Sequence, residues 1–77
     1  MSEKQKDLLQ LFGSHVKNMR VTKNMTQVEV SSRMNRDQQS LQRVESGRVN
    51  PSLSYLIDLS VALEIEISEL VSFKKID

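Results

Sequence analysis

Thr26-Gln27-Val28-Glu29, followed by Asn35-Arg36-Asp37-Gln38-Gln39-Ser40-Leu41-Gln42-Arg43-Val44-Glu45-Ser46-Gly47, is the part of the chain on which the fold turns. Thr26 with Glu29 three residues on is a capping box, in which the hydroxyl takes one free helix N–H and the carboxylate reaches back for another. It predicts a short helix ending near Met34. Asn35 then supplies a corner at positive φ, which asparagine tolerates better than most side chains do. Asp37 caps a third helix, Gln38 to about Ser46, with Leu41 and Val44 facing inward. Gly47 ends it. Two short helices joined by a turn with Asn at its bend predict a helix-turn-helix over about 26–46.

Outward from this unit, Leu8, Leu9, Phe12, Val16 and Met19 recur at three- and four-residue steps, predicting an amphipathic first helix to about Thr22. Residues 1–6 are expected to be a loose lead-in. Lys23-Asn24 marks the stop. Val49-Asn50-Pro51-Ser52 is the clearest break, and Ser52 can cap a fourth helix with an apolar face of Leu53, Leu56, Leu59 (or Ile57) and Leu63. Ile65 and Ile67 flank a bend before a last turn from Ser68 to about Phe73, and 74–77 are a tail. The expectation is an all-α chain, five helices in one domain over 1–77.

Composition narrows the function. The 77 residues include no cysteine, one histidine, two glycines and one proline. Disulfides, thiolate zinc sites and thiol catalysis are therefore excluded, and there is little material for hairpins or Gly-rich phosphate loops. His15 has no sequence partner resembling a triad or an acid/base pair, and no Gly-x-Ser-x-Gly elbow is present, so neither an enzyme nor a cofactor or metal is expected. No signal peptide and no apolar run of spanning length is found, and a cytoplasmic protein with no small-molecule ligand is the expectation. Charge is uneven: residues 1–50 carry nine Lys and Arg against five Asp and Glu, residues 51–77 two against five. A basic front and an acidic back predict two surfaces with different partners.

The third helix carries the chemistry. With Leu41 and Val44 buried, Gln38, Gln39, Gln42 and Arg43 project outward. Glutamine matches adenine N6 and N7 in the major groove, and arginine matches guanine O6 and N7. Gln27 stands at the first position of the preceding helix, where free N–H groups and the positive end of the dipole suit a phosphate. One helix across the backbone and the next in the groove is a docking layout for double-stranded DNA.

Phe12-Gly13-x-x-Val16-x-x-Met19-Arg20, Met25-Thr26-Gln27-x-x-Val30-Ser31, Leu41-x-x-Val44-Glu45-x-Gly47, Asn50-Pro51-Ser52-Leu53-x-x-Leu56 and Ser68-Glu69-Leu70 occur in this order. This set resembles the Cro/repressor (Xre-type) helix-turn-helix family, and Gln38-Gln39-Ser40 is similar to the start of a recognition helix in lambdoid phage repressors. The resemblance implies a compact five-helix lambda-repressor-like fold and a transcription regulator that reads an inverted repeat as a homodimer. It assigns base reading to Gln38, Gln39 and Arg43 and backbone contact to Gln27, Ser46 and Arg48; Gln42, which projects outward beside them, is expected to read bases too, and Ser40 to meet phosphate. It also implies a structural ion pair between Arg20 and Glu45. If that pair is buried, removing one partner should cost about 3–5 kcal/mol by leaving an unpaired charge.

Departures from the family pattern carry their own expectations. Asn35 replaces a turn glycine. Arg36 stands at an apolar position, which removes a staple to Leu41 and is expected to add a phosphate contact. Ser31 and Ser60 replace alanines and should keep close packing if each hydroxyl finds a backbone carbonyl. Tyr55, Ile57, Val61, Val71 and Phe73 exceed what one helix face can bury, and predict a dimer interface on helices 4 and 5 and the C-terminal segment. The alternative is an antitoxin-like module that binds protein through that apolar surface.

Overall fold

Ser2 opens the first helix through a capping box with Gln5: its Oγ accepts from Gln5 N at 3.2 Å while Gln5 Oε1 accepts from Ser2 N at 3.1 Å. Helix α1 therefore spans Glu3–Thr22. The loose lead-in expected over 1–6 is corrected to a capped helix start, because Ser-x-x-Gln satisfies two of the otherwise free N–H groups. The computed structural model describes residues 2–73; the expected 74–77 tail lies outside them. The remaining elements are α2 (Gln27–Arg33), α3 (Gln38–Glu45), α4 (Leu53–Leu63) and α5 (Ile67–Leu70), and no strand occurs among the described residues.

Each helix end has a local cause. Thr26 Oγ1 accepts from Glu29 N at 3.0 Å and Glu29 Oε1 from Thr26 N at 3.2 Å, forming the expected box. Asp37 Oδ1 and Ser52 Oγ cap α3 and α4. Asn24, Asn35 and Gly47 turn the chain at φ of 58°, 56° and 73°. Glu64 does the same after α4, at φ 58°, where no favourable residue announces it.

α1 and α2 both pack on α3, and α4 lies against α2 and α5. Val16, Val30, Leu41, Leu59, Leu63 and Leu70 are fully buried where these helices meet. Gly13 marks the closest approach of α1 to α3: a Cβ there would press on the carbonyl oxygens of Val44 and Glu45. The inner face of α4 differs from the expected one. Leu53 is 65% exposed, and Tyr55, Leu59, Ala62 and Leu63 face the core with Leu56 half-buried. The last helical turn closes at Leu70, and Phe73 packs back on Phe12 with ring centroids 5.8 Å apart.

Candidate nucleic-acid interface

α2, the turn at Asn35 and α3 form the predicted helix-turn-helix. With Leu41 and Val44 buried, the opposite side of α3 presents Gln38, Gln39, Gln42 and Arg43, all exposed. Gln39, Gln42 and Arg43 join Ser46 and Arg48 around a shallow polar hollow of about 350 Å³. The five side chains therefore share one surface. Ser46 Oγ donates to the Arg43 carbonyl at 3.1 Å, and Arg48 is exposed.

The rear of α3 is held by a buried ion pair. Arg20 Nε donates to Glu45 Oε2 at 2.7 Å and Nη2 to Oε1 at 3.0 Å, with the two side chains 10% and 4% exposed. Nη1 donates to the Met25 carbonyl at 2.9 Å, so one guanidinium joins α1, the α1–α2 turn and the end of α3. The hydrogen bond to Glu45 raises the Arg20 pKa above its ordinary value, so the guanidinium stays charged. Gln27 is tied into the same group: its Nε2 donates to Glu45 Oε1 at 3.0 Å, and its Oε1 accepts from Gln38 Nε2 at 3.2 Å.

Two expected phosphate residues face elsewhere. Arg36 pairs with Asp58 of α4 at 2.9 Å and lies over the Tyr55 ring, its guanidinium carbon 4.9 Å from the centroid. Ser40 is half-buried, donates to the Asp37 carbonyl at 3.0 Å and stands 3.4 Å from the Tyr55 hydroxyl. In the DNA-free protein both belong to a joint between α3 and α4. Tyr55, expected at the dimer face, is 8% exposed and centres that joint. Burial pushes its phenol pKa up, partly opposed by the hydrogen bond to Ser40 and the charge of Arg36. The sequence carried no signal for this joint beyond the polar character of Arg36 and Tyr55, since α3 and α4 meet only in three dimensions. Arg33 was also missed. Its Nη1 reaches the Ala62 carbonyl at 3.2 Å and covers the open C-terminal end of α4.

The remaining candidates play structural parts. His15 is half-buried and its Nε2 lies 2.9 Å from the Glu69 carbonyl, linking α1 to α5. No group of three or more metal-ligating side chains occurs among the described residues, and no helix there is long and apolar enough to cross a membrane.

A five-helix bundle with a capped turn between α2 and α3, and a Gln- and Arg-bearing helix turned outward, defines a helix-turn-helix protein. Residues 16–70 match the helix-turn-helix family model, and the chain belongs to that family. It is 39% identical over 66 residues, 86% of each chain, to the uncharacterized HTH-type transcriptional regulator y4dJ of Sinorhizobium fredii. Among solved structures it is similar to the restriction-modification controller protein C.AhdI from Aeromonas hydrophila. The identity is 33% and the TM-score 0.77, covering 83% of this chain and 96% of that one. The clp gene regulator ClgR from C. glutamicum shares the fold at 22% identity and a TM-score of 0.78, with 83% of each chain covered.

Proposed function

We propose that this chain is a transcription regulator that reads double-stranded DNA through the major groove with α3. The observation that carries this reading is the outward face of Gln38, Gln39, Gln42 and Arg43, continuous with Ser46 and Arg48 and fixed from behind by the buried Arg20–Glu45 pair. Gln38 and Gln39 select adenine-containing steps and Arg43 a guanine, with Gln42 beside them. Gln27, Ser46 and Arg48 face phosphates along the same surface. The protein works in the cytoplasm, with no enzymatic activity and no cofactor.

It acts as a homodimer. Leu53, Ile57 and Val61 follow one another at four-residue steps along α4 and are 65%, 48% and 72% exposed, and Val71 adds to the apolar surface. A single recognition helix gives too small an interface for typical specific affinity, so pairing supplies a second half-site about 10 bp away. Phe73 is half-buried on Phe12 and His15 and leaves this interface to α4 and Val71.

Selection of random duplex DNA by the purified protein, followed by sequencing, tests the reading directly. An inverted repeat is expected, with binding that falls steeply as salt rises. Arg43→Ala should relax preference at one base pair per half-site, at a cost of about 1–3 kcal/mol. Unchanged preference in that variant would remove α3 from base reading. Binding to apolar protein surface, insensitive to salt and with no selected motif, would support the antitoxin-like alternative.

A further inference from the structure

We propose that Asp58 is an affinity-determining residue for DNA: it competes with the phosphate backbone for Arg36, which exchanges one anion for the other as α3 docks. The proposal rests on the DNA reading above and adds a contact that the free protein conceals. Arg36 stands in the turn just ahead of Asp37, the cap of α3. Its guanidinium lies over the Tyr55 ring, 4.9 Å from the centroid, and Nη2 donates to Asp58 Oδ2 at 2.9 Å. Nε and Nη1 have no acceptor among the described residues. Tyr55 is buried and holds this cation beside the recognition surface. Arg43 lines both the polar hollow of that surface and a second cleft of about 160 Å³, which it shares with Ser40 and Tyr55.

Burial separates this pair from that of Arg20 and Glu45. There the side chains are 10% and 4% exposed, and the guanidinium is held at all three nitrogens. Arg36 and Asp58 are 38% and 45% exposed and joined at one nitrogen. An exposed pair is screened by water and salt and is worth little, so a rival anion can take its place. A duplex is a strong rival, because each phosphate that an arginine neutralises releases a condensed counterion, and a carboxylate releases none. The Tyr55 ring attracts the cation whichever anion it holds, and so keeps it in place through the exchange. Asp58 thereby lowers affinity without contributing a DNA contact. It does so alike for every sequence, since phosphates carry no base information.

Asp58→Asn keeps the size of the side chain and removes its charge. Affinity for a duplex recovered by selection, and for a scrambled duplex, should rise roughly two- to fivefold, the range an exposed ion pair spans. Arg36→Met should weaken binding to both duplexes and lower the salt slope by about one. A double-mutant cycle then separates exchange from bulk charge: in the Arg36→Met background the gain from Asp58→Asn should largely vanish. An undiminished gain in that background would mean that Asp58 only repels DNA, and overturns the proposal. Unchanged or weaker binding by Asp58→Asn alone would mean that no competition exists, and overturns it too. Failure of the DNA reading shows separately, as no enriched motif for the wild type, and the proposal falls with it. The complex offers an independent readout. The Arg36 Nε resonance of 15N-arginine-labelled protein should shift when duplex is added, and a resonance that stays in place would mean that the pair with Asp58 persists and no exchange occurs.

Discussion

Ser31 and Ser60 show how far one residue's neighbours decide its energetics. Both hydroxyls were expected to find carbonyls, and Ser60 Oγ does, donating to Ile57 O at 2.7 Å. Ser31 is 3% exposed and its Oγ has no partner. A buried unsatisfied hydroxyl costs about 1–3 kcal/mol, so Ser31→Ala should stabilise the protein by about 1 kcal/mol in urea denaturation. Ser60→Ala, which removes a hydroxyl that already has its partner, should not. Tyr55 gives a second test, and it is the only tyrosine in the chain. Its phenol pKa is raised by burial, so the folded state holds the proton more tightly than the unfolded one. The stability this contributes is complete below the ordinary value of about 10 and is lost as pH rises beyond it through the folded value. Phenolate absorbance should therefore lag behind that of free tyrosine on alkaline titration, and normalise when the protein is unfolded. The Arg20–Glu45 pair was legible only through the family pattern. The two residues stand 25 apart, and local periodicity contains nothing that joins α1 to the end of α3.

Helix limits were the most legible part of the chain, because caps are local chemistry. Thr26-x-x-Glu29, Asp37, Ser52, Asn24, Asn35 and Gly47 all act where their side chains and φ preferences place them. Ser2-x-x-Gln5 carried the same signal and accounts for the early start of α1. The left-handed turn at Glu64 had none, because glutamate has no preference for that region; Ile65 N donates to the Ser60 carbonyl at 3.0 Å and closes it. Faces were less legible than ends. Leu53 and Leu59 are equally apolar, yet one is 65% exposed and the other fully buried. Gly13 belongs at this scale as well. The family pattern marked it, and the contact of α1 with the carbonyls ending α3 explains it. Those carbonyls are backbone and cannot move aside without shifting a helix. Gly13→Ala should thus destabilise by about 1–3 kcal/mol or more, despite the better helix propensity of alanine. Thermal denaturation checks this, and a gain in stability would show that α1 and α3 can separate freely.

At the scale of the molecule, charge and hydropathy divide the work. The basic front half contains α3 with Arg43 and Arg48, and the acidic back half contains the exposed stripe of Leu53, Ile57 and Val61. Replacing Ile57 and Val61 together by glutamate should leave the monomer folded, since neither side chain is buried. It should yield a monomer in sedimentation and weaken binding to a two-half-site duplex while sparing the weak, non-specific attraction to DNA. A variant that still sediments as a dimer would move the interface elsewhere. The joint of Arg36, Ser40 and Tyr55 connects these two surfaces, and no sequence separation reveals it.

Sequence alone determined the helices, their order and the residues that α3 turns outward. Those follow from capping chemistry within a few residues and from the period of the apolar positions. Tertiary structure decided the partners. Arg36 pairs with Asp58 and lies over Tyr55, Gln27 is tied between Glu45 and Gln38, and Ser31 is left without an acceptor. Hydrogen bonds and ion pairs need atoms within about 3 Å, and residues far apart in the chain reach that distance only when helices pack.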